Sequence, residues 1–112
     1  MRSIQEKMEK DVLALIFREY PDMLIQINRA CITSRNFTGV GFFTNYYGSN
    51  MLYEDDMVIS GVGGNLNNSI EVGFVFFLGK DGVHALECYT YGDPFPDQIE
   101  SYEVFVRKKS VH

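Results

Sequence analysis

The sequence predicts an α+β domain: N-terminal helices packed against an antiparallel sheet of about five or six strands. Three observations carry this. Residues 3–19 place Ile4, Met8, Val12, Leu15 and Ile16 on one helical face. From Ala30 onward the chain turns to β-branched and aromatic residues broken by glycine. The stretch EVGFVFFLGKDGVHALECYTYG, residues 71–92, sets Asp-Gly between two apolar runs, a hairpin signature. At 112 residues the chain has the length of one domain, and neither a repeat nor a linker interrupts it.

The elements follow in order. Ser3 with Glu6 forms a capping box at the start of the first helix, and Glu6, Lys7, Glu9 and Lys10 take its polar side. Pro21 ends that helix, and Asp22 caps a short second one reaching about Asn28. Strands are predicted at about 30–36 and 39–46, with Gly39 and Gly41 marking a tight turn or a bulge between them. GSNMLYEDD, residues 48–56, reads as a loop before a strand at about 57–63, and NLNNS is turn chemistry. The hairpin supplies strands at about 71–79 and 83–91, joined around Lys80-Asp81-Gly82. Its first strand is apolar on both faces, which predicts a central place. Its second alternates: His84, Leu86 and Cys88 share one face, and Glu87, Tyr89 and Tyr91 the other. A helical turn is expected at about 96–101. YEVFVRKK then forms a last strand, with Val104 and Val106 on one face and Phe105 on the other.

Charge is distributed unevenly. The formal net charge is -5. From Phe43 to Val106 the ten acids are Glu54, Asp55, Asp56, Glu71, Asp81, Glu87, Asp93, Asp97, Glu100 and Glu103, against the single base Lys80. The other bases sit toward the ends, from Arg2 to Arg35 and from Arg107 to Lys109. Such a chain has at least one strongly negative face, which attracts basic partners and repels nucleic acid. MRSIQEKMEK lacks the apolar core of a signal peptide, and no apolar run approaches a membrane span, so a soluble cytoplasmic protein is expected. Cys31 and Cys88 form no CxxC pair and are expected as buried free thiols.

Catalytic and ligand chemistry finds little support. His84 and Cys88 are four residues apart on one strand, roughly 13 Å, too far for a Cys–His pair. Glu54-Asp55-Asp56 lacks the spacing of a calcium loop, and one internal histidine makes no zinc set. Gly39-Val40-Gly41 and the glycines of 61–64 open no helix and precede no P-loop lysine. Neither a metal nor another cofactor is expected. Glu87, beside Tyr89 and Tyr91, suits either a general acid in a cleft or a structural carboxylate.

Two stretches carry a resemblance. SRNFTGVGFFTNY, residues 34–46, resembles an S-R-E-F-T-G-V-G-F-F-T segment of a family of small, largely uncharacterised bacterial proteins. GFVFFLGKDG and LECYTYGDPFP resemble the same family's later strand, acidic turn and L-E-G-Y-T-Y segment. The match runs from about Thr33 to Pro96 and leaves out the N-terminal helices. It departs at Asn36, where the family has an acid, at Cys88, where it has glycine, and at Phe95, where it has tryptophan. These proteins look like immunity proteins of polymorphic toxin systems, including contact-dependent growth inhibition. The resemblance therefore implies a non-enzymatic inhibitor of a cognate toxin domain, often a basic nuclease. Separately from it, a monomer or weak dimer is expected. The resemblance makes Arg35, Gly39, Gly41, Glu87, Tyr89 and Tyr91 structural, with Arg35 pairing Glu87. Taken with the charge asymmetry, it places Glu54, Asp55, Asp56, Asp93, Asp97 and Glu100 at the toxin, with Tyr53 and Phe95 as anchors. Two other classes stay open: a small enzyme using Glu87, and a domain that self-associates through its aromatic strip.

Overall fold

A computed structural model describes residues 3–52 and 55–107. Two helices, α1 (Ile4–Ile16) and α2 (Pro21–Arg29), precede six strands. These are β1 (Cys31–Phe37), β2 (Gly41–Leu52), β3 (Met57–Leu66), β4 (Ile70–Leu78), β5 (Asp81–Thr90) and β6 (Tyr102–Val106). They form one sheet in the order β1-β2-β5-β4-β3-β6, with every neighbouring pair antiparallel. This is the α+β architecture that the sequence predicts, and β4 is central.

Helix α1 starts where capping chemistry puts it, whereas Asp22, expected to cap α2, lies in its first turn, and Tyr20 stands at the N-cap with no side-chain bond. The Ser3 hydroxyl accepts the Glu6 amide at 3.1 Å. Helix α1 ends at Ile16, earlier than expected, because Phe17 turns inward and is fully buried against Phe76 at 5.0 Å between ring centroids. Pro21 does not stop α1; it opens α2, where its missing N–H costs nothing.

Local backbone demands fix the turns. Asn67 and Asn68 both adopt positive φ (52° and 64°) and, with Ser69, whose amide donates to the Leu66 carbonyl at 3.1 Å, make the tight three-residue turn between β3 and β4. Gly39, at φ 87°, turns β1 into β2. Gly41 serves a different need: a Cβ there would lie 1.8 Å from the Cys88 carbonyl oxygen, so β2 meets β5 closely only because the side chain is absent. Strand β5 already begins at Asp81, leaving Gly79 and Lys80 as the hairpin connection.

The helical turn expected at 96–101 does not form. Pro94 and Pro96 lack amide donors, and the neighbouring backbone groups bond elsewhere. Phe95 donates to the Gly39 carbonyl at 3.0 Å. The Asn67 side chain donates to Gln98 at 2.9 Å and accepts the amides of Glu100 and Ser101 at 2.7 and 3.2 Å. The segment from 91 to 101 is thus an ordered strap between β5 and β6.

Both helices cover one face of the sheet. Met8, Val12, Leu13, Ile16, Phe17 and Ile27 meet Phe42, Val62, Leu66, Val72, Phe74, Phe76, Leu78, Leu86 and Cys88 in a single core. No described helix packs on the opposite face, called here the open face.

Candidate functional site

Strand parity decides which residues meet. Arg35 lies opposite Thr44, which is buried on the helix-covered face. Glu87 lies opposite Phe43 and Val75, one step out of phase and therefore on the open face. The expected Arg35–Glu87 pair is thus ruled out, since the two point away from opposite sides of the sheet.

Arg35 pairs instead with Glu9 of α1. Its Nη2 and Nε donate to the two carboxylate oxygens at 2.7 and 2.9 Å. The Gln5 amide donates at 2.9 Å, and the Thr44 hydroxyl donates as well. Glu9 is only 2% exposed, so the expectation that it sits on the polar side of the helix is corrected. The bond to Glu9 raises the Arg35 pKa further, against the opposing effect of burial. Four donors converge on this carboxylate, three on Oε2 and one on Oε1, which makes it a clamp between helix and sheet. Beside it, the Tyr46 hydroxyl is buried without a partner among the described residues, and burial drives its pKa well above the usual value. It lines a small cavity of about 50 Å³ with Leu13, Ile27 and Ile32.

The open face has two halves. Toward the strap, Tyr89 and Tyr91 pack edge to face at 5.4 Å, and the Arg107 guanidinium lies 4.7 Å over the Tyr91 ring. Arg107 Nη2 also donates to Glu71 at 2.8 Å. This cluster rests on glycine. A Cβ at Gly73 would fall 2.5 Å from Tyr89 Cζ, and one at Gly63 would fall 2.3 Å from Arg107 Nε. Desolvation first, then a bond with Tyr89, pushes the Tyr91 pKa up to about 12. Sequence reasoning placed Tyr89 and Tyr91 on one face with Glu87 but missed Arg107. The available signal was a pair of strand glycines that leave room for a long side chain to cross. Glu87 itself is half-buried between Phe43 and Val75.

Toward the β4–β5 turn, the open face is apolar and bare. Val58 pairs with Phe77, Phe77 with Ala85, and Tyr47 with Val83. Val58, Val83, Tyr47 and Phe77 are all exposed.

The carboxylates expected at a partner are divided between two poles. Asp56 accepts the Lys80 amide at 2.8 Å, which puts it with Asp55 and Asp81 at the β4–β5 turn. Asp93, Asp97 and Glu100 ride the strap beyond the other end of β5. The ten residues of β5 separate the poles by about 30 Å. Tyr53 and Glu54 lie outside the described residues. Phe95 is not a displayed anchor: it packs 5.8 Å from Phe42 and 6.3 Å from Phe37, as part of the core's margin.

Cys88 is buried, as expected, and burial raises its pKa. Cys31 is exposed, contrary to expectation, because β1 is an edge strand and Cys31 faces away from the helices beside Tyr47. Among the described residues no cluster of His, Cys, Asp and Glu is arranged to hold a metal ion, and no helix is long and apolar enough to cross a membrane. No family model matches the chain, and neither a curated protein nor a solved structure is significantly similar to it.

Proposed function

We propose that this protein is an immunity-type inhibitor: it binds a basic toxin domain, most simply a nuclease, and blocks the surface that holds the toxin's substrate. The carrying observation is the imbalance of charge across the sheet and its connections. Between Cys31 and Arg107 the described bases are Arg35, Lys80 and Arg107. Arg35 is held by Glu9, and Arg107 by Glu71. Asp55, Asp56, Asp81, Asp93, Asp97 and Glu100 have no cationic side chain paired with them among the described residues. Both acidic poles sit on hydrogen-bonded backbone, so little ordering entropy is lost when a partner arrives. Fixed negative charge steers a basic protein into contact and raises its association rate. The resemblance to toxin-immunity proteins supports the same reading.

The reading predicts a basic toxin domain encoded beside this protein's gene, and the test is co-expression of the two. Growth should be restored, and the association rate should fall on the order of tenfold between low and high salt. A toxin that kills equally well in the presence of the folded protein would end this reading.

A further inference from the structure

We infer that the apolar half of the open face, at the β4–β5 turn, is the seat of the basic partner, and that the acidic strap is not. The inference rests on the proposed function and assigns it a site. Val58 is 64% exposed, Val83 57%, Tyr47 47% and Phe77 38%. A folded chain scatters exposed apolar side chains singly, whereas these four are neighbours. The register makes Val58–Phe77–Ala85–Asn45 one row across four strands, with Val83–Tyr47 directly beside it. Side chains so paired stand roughly 5 Å apart, close enough to form one continuous surface. All of these but Tyr47 line a shallow depression of about 590 Å³.

The border of the patch identifies the occupant. Asp56 and Asp81 line the depression, with Lys80 the only lysine or arginine among the described lining residues and His84 beside it. Asp55 adjoins Asp56. The Asp56 and Asp81 carboxylates are held in place by the backbone amides of Lys80 and Val83. An apolar centre with a carboxylate rim is complementary to an apolar protrusion flanked by lysine or arginine. Stacking two copies face to face would instead bring two such rims together. The strap's large apolar residues Phe95 and Ile99 pack against the core, and the exposed Phe37 and Val40 beside it sit at the end of edge strand β1 and in its turn, not in a row across the sheet. The other half of the face, where Tyr91 is 51% exposed, carries the Arg107 guanidinium, a positive charge that disfavours a basic partner.

The test uses the full chain and two amphipathic peptides, one of leucines and lysines and one of leucines and glutamates. In amide NMR spectra the lysine peptide should shift Val58, Phe77 and Val83, while the glutamate peptide leaves them unmoved. The double variant Val58→Arg/Val83→Arg should keep the wild-type melting temperature and bind the lysine peptide on the order of tenfold more weakly. If it misfolds, Val58→Ser/Val83→Ser serves in its place. Shifts confined to residues 93–100, binding of both peptides alike, binding of neither, or a concentration-dependent dimer that buries the patch would each overturn the inference. In cells the two readings part. Protection by the wild type that survives Val58→Arg/Val83→Arg but fails in a triple Lys variant of Asp93, Asp97 and Glu100 removes this seat and keeps the function. No protection by the wild type removes the function itself.

Discussion

The helix-covered and open faces of the sheet each carry a charged side chain laid against apolar neighbours, and they accommodate it differently. On the covered face, Glu9 is stripped of water and compensated by Arg35, Thr44 and Gln5. On the open face, Arg107 keeps part of its hydration, lies on Tyr91, and needs a floor without side chains at Gly63. The first solution is a hydrogen-bond network and the second is shape. A network fails when one member is lost, because the others are left buried and unpaired. A shaped surface yields gradually, because its outer atoms can move into solvent.

That contrast ranks the expected effects. Glu9→Ala should be the most damaging, at about 3 kcal/mol, since it leaves Arg35 and Thr44 without their acceptor. Urea unfolding measures it, and a loss below about 1 kcal/mol would show that water replaces the carboxylate. Gly73→Ala should cost less, about 1 kcal/mol, because the atoms its Cβ meets are the mobile ends of Tyr89 and Tyr91. Its clearer readout is spectroscopic. Near-ultraviolet dichroism of the stacked tyrosines should fall, and the alkaline titration of Tyr91 should move from about 12 toward the ordinary 10. An unchanged titration would mean that the glycine floor does not hold the rings.

The smallest effect is one of pH. His84 is buried on the covered face, and its Nδ1 accepts the Gly79 amide at 3.0 Å, which requires the neutral ring. Burial lowers its pKa below the ordinary 6.5, with Asp81 partly opposing. The unfolded chain therefore binds the proton more readily. Stability is fully present above about pH 6.5 and declines as the pH falls below it. Melting temperatures between about pH 7.5 and pH 5.5 should show that decline, and a flat profile would mean that His84 titrates normally.

Much of this architecture is legible in the sequence because alternation is a local property. Leu86, Cys88 and His84 against Glu87, Tyr89 and Tyr91 divide correctly before any partner strand is known. The Asn67–Asn68 turn and the central place of β4 are legible for the same reason. What stays hidden depends on register and on contacts between layers. Arg35 and Glu87 look like partners until β2, which lies between their strands, assigns them to opposite faces. Glu9 looks like a solvated residue among other charges until α1 is set down on Thr44. The bare patch of Tyr47, Val58, Phe77 and Val83 comes from three separate segments, and only the strand order makes it one surface.

The Asn67 turn also bears on the order in which the chain assembles. It closes on three residues, so the β3–β4 hairpin can form from neighbours alone. Its side chain then presents a donor and an acceptor to Gln98, Glu100 and Ser101, which lie 31 to 34 residues away. Those groups point the right way only after the turn has closed. An early local event thus builds the template on which a distant segment docks. Strand β6 follows that segment and borders β3 alone, so its place in the sheet depends on the same docking.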